Sequence, residues 1–253
     1  MTVDSAAQEA VTWRRVLASE LGKAARARSV QVLVALELCL VGFFSAVVGV
    51  PGVQAAALPV GLAGVVIAGA EYPSGAIMLT VVAVGRRTRL FWAQLVSAAV
   101  VTALPAFVLM MGLALTARPY LDYRGVPFDM TASVETVVRA ALVLALVAVA
   151  GALLAMGARS VAVASMVLAL IMGAAQMLGV LVQSLLAMAG GTVRTLEWVD
   201  TVMPNAVIAR LQGVAAIPAS SWQEEPIATV LLAAAWCLPL FLWGHYRLTR
   251  DDF

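Results

Sequence analysis

Apolar residues run along this chain in long blocks, and polar residues gather in the gaps between them. A helix rising about 1.5 Å per residue needs roughly 20 apolar residues to cross a hydrocarbon core about 30 Å thick. Six stretches approach that requirement, at 29–49, 54–71, 89–115, 135–156, 160–187 and 226–247. The pattern predicts an all-α polytopic membrane protein with six transmembrane helices in a single domain over 29–253. Ahead of the first block, Trp13, Val16, Leu17, Leu21 and Ala24 recur at helical spacing, while Arg14, Arg15, Ser19 and Lys23 mostly take the other face. Residues 1–28 are therefore expected to hold a helix lying in the cytoplasmic interface, with a solvated basic tail as the alternative. They are too long for the charged region of a signal peptide, the run that follows is a full span, and no processing is expected.

Two breaks in this pattern carry most of the information. GAEYPSG (69–75) follows the second block, and AIMLTVVAV then precedes GRRTR before the third block begins. That apolar stretch is too short to cross a bilayer and too apolar for a solvated loop. A short helix over about 74–84, lying across the membrane surface with one face buried, is expected. The second break is the segment 188–222, which is too long for a simple loop. Leu196, Trp198, Val199, Val202 and Val207 fall near amphipathic spacing there, interrupted by Pro204. Two short re-entrant helices in the outer leaflet fit it, either gating an exit or shielding the outer end of a pathway, and Trp198 and Trp222 suit the interface.

Composition supports the membrane reading. Of the 253 residues, 63% are hydrophobic and 12% charged, and the mean hydropathy is +0.99. Charge then sets an orientation, because Arg14, Arg15, Lys23, Arg26, Arg28, Arg86, Arg87, Arg89, Arg159, Arg247 and Arg250 all fall on one side of a six-span chain. By the positive-inside rule that side is the cytoplasm, and it holds both termini. Cys39 and Cys237 lie inside apolar blocks, which argues against a disulfide framework. With His245 as the single histidine, the chain lacks a metal-ligand cluster and a Ser/His/Asp set. Enzymatic chemistry, a metal and a nucleic-acid partner are not expected, and no G-x-x-x-x-G-K-[ST] loop is present to cradle ATP.

Several polar residues stand out against this background. Glu71 sits at the cytoplasmic mouth of the second span, either facing water or pairing with Arg86, Arg87 or an arginine of the N-terminal helix. The arginines have a second reading as topology signals alone. Glu37 lies at membrane depth in the first span, where it lines a substrate path, is hydrogen-bonded to another helix or snorkels toward the cytoplasm. Gln176 and Gln183 are two turns apart with Gly179 between them, on a face that is either a dimer contact or a pathway lining.

The order of these features resembles the permease subunits of type-two ATP-binding-cassette exporters. The matching residues are Glu71, Tyr72 and Gly75 of E-Y-x-x-G, then Arg86, Arg87 and Arg89. GALLAMGARSVAVA (151–164) resembles that family's tight cytoplasmic turn between spans four and five. LEWVDTVMPNAVIARL (196–211) is similar to its extracellular segment, with Pro204 and Asn205 matching most closely, and RLTRDDF to its C-terminal tail. Pro73, Ser74 and Ala76 depart from the family pattern. The resemblance implies a permease in a prokaryotic cytoplasmic membrane that dimerises with itself or a related chain. It further implies a separate ATPase subunit that binds ATP and Mg, docked on a coupling helix where Ile77 and Met78 join the residues above, and export of an amphipathic or hydrophobic substrate such as a drug, antibiotic, peptide or lipid. A proton-coupled transporter using Glu37 and a non-transporting assembly factor are the alternatives.

Overall fold

The computed structural model describes residues 12–48, 53–123, 130–174, 181, 184, 185, 188, 204–211 and 226–250. Among them the chain is helical, with no strand. The N-terminal helix α1 (Trp13–Arg26) leads almost directly into α2 (Arg28–Val48), and α3 (Val53–Gly69) follows. A turn then precedes the short α4 (Ala76–Val84) and the long α5 (Arg87–Tyr123). After α6 (Met130–Ala158) comes α7 (Val161–Ala169), which loosens into a π turn at Leu170–Ala174. The last two helices are α8 (Pro204–Leu211) and α9 (Pro226–Arg250).

Four helical segments are long and apolar enough to cross a membrane, at Arg28–Ser45, Arg87–Ala117, Met130–Ala158 and Thr229–Leu248. The helices Val53–Gly69 and Val161–Gly173 are apolar but shorter. Boundaries expected for the second, third and fourth spans shift accordingly, and α5 extends to 37 residues, about 55 Å at 1.5 Å per residue. Its tail passes beyond any hydrocarbon core. The helix expected over about 74–84 starts at Ala76, because Gly75 takes a left-handed φ of 68° and Gly85 closes it with a φ of 71°.

The core forms where α3 lies against α6, the most extensive packing in the chain, with α2, α5, α7 and α9 around it. Small residues let these two helices approach. A Cβ on Gly64 would fall 1.9 Å from the carbonyl oxygen of Ala148, and one on Gly151 would fall 2.0 Å from that of Gly61. Glycine is thus needed from both partners at one crossing. Between apolar helices in a bilayer, such close backbone packing supplies the attraction that water exclusion supplies elsewhere. Ala56, Ala57, Val60 and Ala68 on α3, with Leu144, Ala148, Ala152 and Ala155 on α6, are fully buried around it.

At the end carrying the basic residues, aromatic rings tie α5 to α9. The Phe91 ring is T-shaped against both Phe241 and His245, with centroids 5.5 and 5.1 Å away, and Phe241 stacks on His245 at 6.0 Å. His245 is therefore a packing residue in this cluster. Gly157 meets Trp243 so closely that a Cβ would fall 2.4 Å from its ring. Helix α9 is held to α6 at the same end.

Candidate functional site

The turn at 70–75 between α3 and α4 concentrates the polar contacts of the basic end. Its centre is Glu71, whose carbonyl accepts from the backbone N–H of Ile77 at 3.4 Å and from the Ser74 hydroxyl at 3.3 Å. The side chain reaches two other elements. One carboxylate oxygen, Oε1, accepts from Lys23 Nζ at 2.7 Å, and Oε2 accepts from the Thr80 hydroxyl at 2.9 Å. That hydroxyl also lies 3.2 Å from the carbonyl of Ala76, so one proton serves two acceptors.

Lys23 also donates to Glu20 Oε1 at 2.8 Å. Three elements therefore meet at one ammonium, since α1 supplies Lys23 and Glu20, the turn supplies Glu71, and α4 holds Glu71 through Thr80. Glu20 is 5% exposed and Glu71 18%, while Lys23 keeps 44% of its side chain in contact with solvent. Burial lowers the affinity of Lys23 for its proton, but hydrogen bonds and charge from Glu20 and Glu71 outweigh it, and the pKa is raised above 10.5. The partner expected for Glu71 is thus corrected. Its N-terminal-helix cation is a lysine, not an arginine, and the buried acid Glu20 was not foreseen.

Tyr72, next in the turn, is pushed up to about 12 chiefly by burial, with the Arg159 charge opposing the shift and Glu71 adding to it. Arg159 occupies the turn between α6 and α7 with a positive φ of 53°, a conformation that costs energy for a side-chain-bearing residue. Its guanidinium donates to the carbonyl of Arg247 at 2.7 Å, satisfying an orphan acceptor in the last turn of α9. The turn ends where Ser160 caps α7, its hydroxyl accepting from the Val163 N–H at 3.4 Å. Turns after α3 and α6 and the end of α9 thus share one electrostatic neighbourhood.

Helix α4 divides its faces sharply. Ile77 is 2% exposed and anchors it, whereas Met78, Leu79 and Val82 are 44, 75 and 78% exposed. Of Ile77 and Met78, both expected among the residues that dock a partner, only Met78 faces outward. Gly75 holds the start of α4 and packs nothing within 4 Å of its would-be Cβ. Arg86 stands exposed just before α5, while Arg87 and Arg89 lie in its first turn. Positive charge there opposes the helix dipole, so these arginines do not stabilise their own helix.

Glu37 is 0% exposed on α2, and among the described residues neither carboxylate oxygen has a hydrogen-bond partner. Gln94 and Ser97 on α5 are also fully buried, and their side-chain polar atoms have no partner among the described residues. A buried polar group left unsatisfied costs about 1–3 kcal/mol. Gln176, Gly179, Gln183 and Trp198 lie outside the described residues. Pro204 and Asn205 open α8, with Pro204 at the first helical position, where its missing N–H is harmless. Among the described residues no group of three or more His, Cys, Asp or Glu is placed to hold a metal.

The fold defines a helical protein with apolar helices compatible with a membrane. No protein-family model matches the chain, and neither does any curated protein.

Proposed function

We propose that the chain is the permease subunit of an ATP-binding-cassette exporter, spanning a prokaryotic cytoplasmic membrane six times with both termini in the cytoplasm. In this reading α1 is interfacial, α4 is the coupling helix, and α8 belongs to a re-entrant pair before the last span. A second permease copy or a related chain completes the pathway, and a separate ATPase binds ATP and Mg. The cargo class is an amphipathic or hydrophobic substrate.

The observation that carries this reading is the junction of Lys23, Glu71 and Thr80. A transporter driven from outside its membrane domain needs a lever at the membrane surface that moves with the spans. Helix α4 fits that need, since it is clamped through Glu71 to the end of α3 and to α1, and Gly85 with Arg86 joins it to α5. Its exposed Met78, Leu79 and Val82 leave an apolar face for a partner. The test is affinity purification from native membranes with an ATPase from a neighbouring reading frame. Co-elution with a P-loop ATPase is expected, together with ATP turnover only when both are present. Turnover by the rigorously purified chain alone overturns the proposal.

A second reading rests on Glu37. A fully buried carboxyl without a partner suits a proton-coupled transporter, in which case an imposed pH gradient drives transport without ATP.

A further inference from the structure

Helices α7 and α9 both pack on α6, and an open cleft lies between them. Val147 and Leu154 of α6 form its floor, Met172 of the π turn one wall, and Trp236 and Cys237 of α9 the other. Ile208 lines it from α8. The lining is apolar throughout. A polar ligand would surrender its hydrogen bonds to water and regain none there.

A charged residue stands on α8 beside the residues that line this cleft. Arg210 follows Val207 by three residues on α8 and precedes Leu211, and both of those neighbours line the cleft. Among the described residues its buried Nη1 has no hydrogen-bond partner. A buried, unpaired guanidinium nitrogen is costly, and the group's planar fork matches the oxygens of a phosphate. An apolar slot beside an unsatisfied cation fits an amphiphile with an anionic head. The bilayer holds that ligand at high local concentration.

We infer that this cleft and Arg210 bind one anionic phospholipid, an acyl chain lying along α6 between α7 and α9 and the phosphate held by the Arg210 guanidinium. A zwitterionic lipid is disfavoured, because its own ammonium competes with Arg210 for the phosphate. The inference needs the helices to lie in a bilayer and does not depend on an ATPase partner or on export.

The test uses the full chain in phosphatidylcholine nanodiscs doped with phosphatidylglycerol carrying a diazirine near the end of one acyl chain. After photolysis, peptide mass spectrometry maps the adducts. They are expected to concentrate on the segments around Val147–Leu154 and Trp236–Leu240, and unlabelled phosphatidylglycerol should compete while glycerol phosphate should not. Arg210→Gln should lower this labelling about tenfold, the loss of one charge-assisted bond, and Arg210→Lys should retain most of it. Ala233→Phe, which fills the cleft, should lower it independently of charge. The same diazirine on phosphatidylcholine should label the cleft weakly, a comparison that needs no variant to fold. Three results overturn the inference. They are adducts spread evenly over exposed faces such as Val32 and Leu142, equal labelling by the two lipids, and cleft labelling unchanged in both Arg210→Gln and Ala233→Phe.

Discussion

Lys23 serves two carboxylates at once, and its proton is what joins α1 to the turn. Because its folded pKa is raised above 10.5, the stability it contributes is fully present below that value and is lost only as pH rises through the higher folded value. Lys23 is 44% exposed, so solvent screening reduces the pair with Glu71 to about 1 kcal/mol or less. A double-mutant cycle of Lys23→Met and Glu71→Gln, read by thermal unfolding in detergent, should give that coupling at neutral pH. It should shrink with added salt and vanish well above pH 10.5. A coupling that persists in strong alkali would show that the contact is not carried by the ammonium. Tyr72 supplies a second titration. With its pKa raised from 10.0 to about 12, it stabilises the fold below pH 10.0 and ceases to do so as pH climbs through about 12. In a phenolate absorbance titration, one late component is expected in the wild type and should disappear in Tyr72→Phe.

At the scale of elements, the α3–α6 crossing is the joint on which the other helices are arranged. Substituting Gly64 by Val places carbon where the Ala148 carbonyl already sits, so a backbone has to move. The expected loss is on the order of 1–3 kcal/mol or more, seen as a lower unfolding temperature and a broader size-exclusion profile. Gly112→Val on α5 is the control, since nothing lies within 4 Å of that position, and it should behave as wild type. The two termini of α4 were legible in the sequence because Gly75 and Gly85 bracket an apolar run, and glycine there has one physical use. The tight turn at Arg159 was expected only through the resemblance of residues 151–164 to a permease-family turn, and its positive φ was not foreseen. Small residues spaced at Ala57, Gly61, Gly64 and Ala68 signal a close crossing, yet the spacing alone does not choose α6 as the partner. Glu71 illustrates the same limit. A carboxylate at a helix mouth announces a need for a cation, but the chosen cation lies 48 residues earlier in the chain. Sequence order favours neighbours such as Arg86, and tertiary packing of α1 against α5 selects Lys23.

For the molecule as a whole, the described polar contacts gather at the basic end, and Glu37, like Gln94 and Ser97, is a buried polar exception with a cost. Its carboxyl is enclosed between helices with both oxygens unsatisfied, so removing it should stabilise the fold. Glu37→Leu keeps similar bulk and is expected to raise stability by about 1–3 kcal/mol, measured as the unfolding temperature in detergent. A chain that retains a destabilising group gains something else by it, because residues that serve activity are often those that cost stability. Under the proposed transport function, transport by Glu37→Leu should therefore fall although the protein is more robust and equally abundant in the membrane. A protonophore then separates the two functional readings. In vesicles holding this chain and the proposed ATPase, with ATP regenerated, the exporter reading expects wild-type transport to continue when the pH gradient collapses. Transport that stops with the gradient and is lost in Glu37→Gln would instead make the buried carboxyl a proton carrier. Unchanged transport in Glu37→Leu would remove Glu37 from the pathway, leaving it a polar residue that the packing of α2 merely tolerates.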